Sequence, residues 1–120
     1  MTATMIANLE KLLGGPRDGS LLRYSLGNEL LKAGDAVAAA VRFREAVERD
    51  AHYSAGWKML GKALAEAGDA AGALNAYTQG IAVAEARGDV QAAKEMTVFA
   101  RRLQKAAAGP DVSADRNADG

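Results

Sequence analysis

The stretch SAGWKMLGKALAEAGDAAGALNAY, residues 54–77, decides the fold. Trp57, Leu60 and Leu64 recur at three- and four-residue spacing, the period of a helix with one apolar ridge. Gly68-Asp69 interrupts that period. Glycine can take the left-handed position that ends a helix, and aspartate can cap the next one. Ala73 and Tyr77, four apart, resume the periodicity on a second helix. The stretch therefore reads as a helical hairpin. Gly61 and Ala73 are small where its two helices cross, and Tyr77 fills the gap.

The same hairpin occurs once before. A shift of 34 residues places Leu26 on Leu60, Gly27 on Gly61, Leu30 on Leu64, Gly34-Asp35 on Gly68-Asp69, Ala39 on Ala73 and Phe43 on Tyr77. Nine of the 34 aligned positions are identical, and six of those are not alanine. A fixed period of 34 in a helix-forming chain marks a stacked array, whose units bury their apolar faces only against neighbours. Residues 20–53 and 54–87 are the two copies, with Ser20 and Ser54 expected as helix N-caps. The second helix of the first copy, about Ala36–Glu48, should bury Ala39, Ala40, Phe43, Ala46 and Val47.

Outward from the copies, Thr4–Leu13 reads as a helix capped by Thr2 or Thr4 and stopped by Gly14-Gly15-Pro16. Its Met5, Leu9, Leu12 and Leu13 stand 34 residues before Ala39, Phe43, Ala46 and Val47. Residues 1–19 thus form the second half of a degenerate unit. Gly88-Asp89 repeats the turn signal, and a last helix covers about Val90–Ala107. In strict register Lys94 and Glu95 would replace the leucine–glycine pair. A slip of one residue aligns Ala92, Met96 and Phe99 instead, with Leu103 on the same face. This is a polar-backed capping helix over residues 88–108. Residues 109–120 are polar and aperiodic, and are expected to be a disordered tail after a single domain spanning 1–108.

These residues resemble the tetratricopeptide repeat. Trp57, Leu60-Gly61, Leu64, Ala73 and Tyr77 follow its pattern of tryptophan, leucine-glycine, a third large residue, alanine and an aromatic. The first copy matches more loosely, with Arg23 at the tryptophan position. Leu30 and Leu64 replace an aromatic, and Ala51 and Glu85 stand where the family has proline. The resemblance implies an all-α fold, a short α-solenoid of antiparallel hairpins with about five helices.

Composition bounds the function. Fifteen basic and fifteen acidic side chains cancel, so the basic excess of a nucleic-acid or membrane-surface binder is missing. No cysteine is present, which excludes disulfides and thiolate metal sites and suits a reducing cytoplasm. The longest apolar run near the N-terminus is broken by Glu10-Lys11 and reads as neither signal peptide nor membrane helix. A cytoplasmic monomer without a cofactor is expected.

Three patterns touch on chemistry without carrying it. Gly56–Ala63 approaches a phosphate-binding loop, yet it ends in Ala63 rather than Ser or Thr and lies within a helix. Asp115, Asn117, Asp119 and Gly120 match the opening of a calcium loop that lacks its remaining half. His52, the single histidine, has no partner set for a triad or a zinc site. No enzyme is expected.

What remains is a binding surface. In the resembled family, the first helix of each hairpin lines a concave groove. The positions beside the ridge are Leu21, Tyr24, Asn28 and Leu31, then Ala55, Lys58, Lys62 and Ala65/Glu66. On the capping helix they are Ala93, Thr97 and Arg101. Lys58 and Lys62 share one helical face, and Arg101 would extend the cationic patch. Some family members clamp a peptide's terminal carboxylate with lysines, an arginine and asparagines. Here Asn28 alone stands at a matching position, and Tyr24 and Met59 replace clamp residues. The expected ligand is a protein or peptide segment, with an acidic one as the natural complement of Tyr24, Asn28, Lys58, Lys62 and Arg101. The rival expectation is an assembly subunit that docks through its convex face or cap.

Overall fold

The structure, a computed structural model, describes residues 2–108. It contains six helices: α1 (Thr2–Glu10), α2 (Ser20–Lys32), α3 (Ala36–Arg49), α4 (Ser54–Glu66), α5 (Ala70–Arg87) and α6 (Val90–Ala108). There is no strand among the described residues. The fold is the expected all-α stack of hairpins, but the count of five was one short. Half a unit, two hairpins and a cap sum to one, four and one. The tail and its calcium-loop pattern lie outside the described residues.

One turn design is used three times. Gly34, Gly68 and Gly88 have φ of 87°, 90° and 79°, left-handed values that cost glycine nothing. The amides of Asp35, Asp69 and Asp89 reach back to the carbonyls of Leu30, Leu64 and Ala84 at 2.8–2.9 Å. This closes the end of each preceding helix. The three aspartate carboxylates then accept from the amides of Ala38, Gly72 and Ala92, satisfying donors that the next helix leaves open.

Ser20 and Ser54 do not cap. The capping positions are Gly19 and Tyr53, one residue earlier, with no side-chain bond. The carbonyls of Gly19 and Tyr53 already accept the first helical amides, from Arg23 and Trp57, so both serines lie inside their helices. α1 is also shorter than expected. After Glu10 the amides of Leu12 and Leu13 bond three residues back, and the tightened turn runs into Gly14 at φ 78°.

The core forms where α2 crosses α3 and α4 crosses α5. Ala39, Ala40, Phe43, Ala46 and Val47 are buried as a set. A Cβ at Gly27 would stand 2.7 Å from the Phe43 ring, and one at Gly61 2.5 Å from the Tyr77 ring. Burial pushes the Tyr77 hydroxyl up to about 12. Trp57 is only partly buried. Its Nε1 donates to the Ala51 carbonyl at 2.8 Å, and Arg87 donates to the His52 carbonyl at 2.6 Å. Two side chains thus tie the α3–α4 junction where the family has proline.

Arg23, at the tryptophan position of the first copy, is the centre of an ion-pair network. It meets Asp18 through two bonds of 2.9 and 2.6 Å and Glu45 at 2.8 Å, and Arg42 also reaches Glu45. The α1–α2 turn is thereby fastened to α3. The guanidinium of Arg23, with the Gly14 amide, holds the Asp18 carboxyl well below the usual range. Burial raises Glu45, but the hydrogen bonds from Arg23 and Arg42 outweigh it and leave this carboxyl lowered as well. Both groups bind protons more readily unfolded than folded. Their contribution is therefore complete at neutral pH and is lost as pH falls below about 4 toward the depressed folded values. Thermal melts from pH 7 to 2 should show a flat upper arm and a steep fall below about pH 4. Asp18→Asn with Glu45→Gln should lower the neutral melt and flatten that fall. Parallel pH profiles for variant and wild type would exclude the network as the cause.

Candidate binding groove

Two adjoining clefts run across α2, α4 and α6. One, of about 270 Å³, is lined by Asn28, Leu31, Lys32, Met59, Lys62 and Glu66. Its neighbour, of about 310 Å³, is lined by Lys58, Met59, Lys62, Tyr77 and Phe99. Met59 and Lys62 belong to both, so the clefts form one groove with an apolar floor and cationic rim. Helical spacing explains the rim. Lys58 and Lys62 stand one turn apart on α4, while Leu60, Ala63 and Leu64 turn into the core.

The two lysines differ in state. Lys58 Nζ lies 3.3 Å from Glu95 Oε1, the side chains being 32% and 41% exposed. The pair links α4 to α6 across the groove. Lys62 is exposed and takes part in none of the ion pairs among the described residues. Lys62 thus presents an ammonium with no carboxylate paired to it among the described residues, whereas Lys58 is paired with Glu95.

Asn28, Lys58 and Lys62 are thus brought together, and Tyr24 and Arg101 are not among the lining residues. The Tyr24 ring packs 5.7 Å from Phe43 and 4.9 Å from Tyr53, centre to centre. Arg101 lines a separate cleft with Glu85, Val90, Ala93, Lys94, Thr97 and Val98. Ala93, expected beside the groove, is buried, because α6 turns Ala93 and Met96 into α5. The near-phosphate motif Gly56–Ala63 is helical throughout. Its two glycines receive Val47 and Tyr77.

A TPR repeat-containing protein of Pseudomonas aeruginosa is 55% identical over 102 residues, spanning 85% of this chain and 97% of the relative. The chain belongs to the tetratricopeptide repeat family. No protein-family model matches it. Among solved structures, a protein of Bordetella parapertussis is 41% identical with a TM-score of 0.74, over 87% of this chain and 90% of that one. A tetratricopeptide repeat domain protein of Salinibacter ruber is 32% identical with a TM-score of 0.66, over 73% and 88%.

Within the tetratricopeptide frame, the sequence does not reveal Phe99 as a groove residue or Glu95 as the partner of Lys58; Met59, which replaces a clamp residue, lines both clefts. Phe99 packs and lines the groove at once: its ring centre is 5.8 Å from that of Tyr77, Arg102 lies 5.9 Å from it, and it borders the cleft beside Lys58 and Lys62. The usable signal was the misfit at Glu95. An acidic residue excluded from a packed face, one hairpin beyond two lysines of the groove, has the groove as its natural place.

Proposed function

We propose that this tetratricopeptide protein is an interaction module that takes a peptide segment across α2, α4 and α6, with a ligand carboxylate at Lys62. The observation that carries the reading is the shared Met59–Lys62 wall, which joins two clefts into one apolar, cation-rimmed groove. Members of this family generally serve as protein–protein interaction modules, which fits the lack of any acid–base or nucleophile set in the sequence. The cysteine-free composition supports a cytoplasmic setting.

Asn28, Lys58 and Lys62 are the ligand contacts in this reading. Tyr24 is held by Phe43 and Tyr53 outside the lining of the groove. So short an array limits contact area, and affinity should be on the order of micromolar. Lys62→Glu should weaken binding of an acidic peptide more than Lys58→Glu, because Glu95 already neutralises Lys58. The double variant should abolish binding with helicity intact. Added salt should weaken the wild-type complex, since exposed charges are screened.

The test is amide-shift mapping with a short acidic peptide and its glutamine counterpart. Shifts around Asn28, Met59 and Lys62, seen only with the acidic form, support the groove. Shifts confined to Val37 and Val41 would instead favour the assembly reading. Both valines are more than half exposed on α3. They line an outer cleft of about 550 Å³ with Arg44, Glu48, Leu64 and Asp69.

A further inference from the structure

The described chain opens and closes on half a repeat, and the two halves are of opposite kind. α1 is a second-type helix, packed on α2 as α3 packs on α4. No first-type helix stands before it among the described residues. α6 is a first-type helix, packed on α5 as α4 packs on α3, and no second-type helix follows it among the described residues.

The 34-residue register identifies the bare face of α1. Met5 on α1 and Leu12 in the turn that follows it occupy the positions of Ala39 and Ala46, which α3 buries completely, yet they are 49% and 37% exposed. Ile6, Leu9 and Leu13, on the other side, pack into the core. Larger apolar side chains therefore stand exposed at positions that the next unit buries. On α6 the side away from Ala93 and Met96 is likewise open. Val90 and Val98 are 61% and 43% exposed and border a cleft of about 620 Å³ that reaches to the edge of the α5 contact, with Glu85, Ala93, Thr97, Lys94 and Arg101 as its other lining residues. Long cationic stems cover apolar surface while their heads stay in water.

We propose that α1 of one copy docks on α6 of another, completing a hairpin between chains and continuing the array head to tail. The occupant is a second copy of this chain, because it carries the complementary half of the same repeat. The contact is heterologous, so association is open-ended rather than closing into a pair. One helix per side is a small interface, so the joint is weak and the single chain remains the unit at low concentration.

Sedimentation equilibrium of the full chain tests this. Weight-average mass should rise continuously with concentration into the range of about 0.1–1 mM. Met5→Lys with Leu12→Lys blocks the head, and Val90→Asp with Val98→Asp blocks the tail. All four sites are at least one-third exposed, so thermal melts should show both variants folded. Each variant alone should stay monomeric, and an equimolar mixture should form a dimer and stop there. A wild-type monomer at every concentration would overturn the proposal. So would a dimer lost in the head variant but kept in the tail variant, which would mean α1 pairing with α1.

Discussion

Gly61→Ala should destabilise this protein, although alanine is the better helix former. In an open helix the exchange would gain about 1 kcal/mol. Here the added Cβ would stand 2.5 Å from Cε1 and 2.7 Å from Cδ1 of Tyr77. Tyr77 is 3% exposed and cannot swing aside. The hairpin must open instead, and overpacking of this kind costs about 1–3 kcal/mol. Gly61→Leu adds three more carbons to the same crossing and should leave the chain mostly unfolded. Total stability of a domain this size is only about 5–15 kcal/mol. Denaturant melts decide the matter by sign. A midpoint raised by Gly61→Ala would show that the helices do not meet closely there.

Trp57→Ala should cost about 3 kcal/mol, the low end of the range for tryptophan truncation, because the ring is only partly buried. Two losses combine. Cβ of Trp57 lies beside Gly80, where an added Cβ would stand 2.8 Å away, so the side chain packs α4 on α5. Its indole N–H also holds the Ala51 carbonyl at 2.8 Å. Trp57→Phe keeps most of the packing and drops the hydrogen bond. It should recover up to about two-thirds of the loss, since a hydrogen bond contributes about 1 kcal/mol net. If alanine and phenylalanine variants melt alike, the hydrogen bond rather than the packing carries the position.

The hairpins were legible because their signals are local and repeated. Gly-Asp turns, Leu-Gly pairs and Ala-aromatic spacing each act within one unit and occur twice or more in register. The groove was legible only in part. Lys58, Lys62 and Asn28 follow from helical phase once the resemblance supplies which helices line the concave face. Tyr24 has the same phase, but its ring is drawn to Tyr53 and Phe43, a choice made by neighbouring side chains. Arg101 and Glu95 depend on how α6 is rotated. α5 has 18 residues where α3 has 14, so the register that works between copies does not extend to the last helix. The role of Arg23 was hidden for a similar reason. A tryptophan site occupied by arginine reads as a defect until Asp18 and Glu45 are seen beside it.

The groove has a consequence for cohesion. Helices in this array touch mainly the next helix in the chain, whereas α2 meets α4, and α4 meets α6, only lightly. Such a stack is a line of links, each held by its immediate neighbours, and it comes apart from its ends. The wall lined by Asn28, Met59, Lys62 and Phe99 spans those alternate helices. A segment laid along it would bridge links that barely hold one another directly. Occupancy would then act as a spine, making the opening of one hairpin depend on all three.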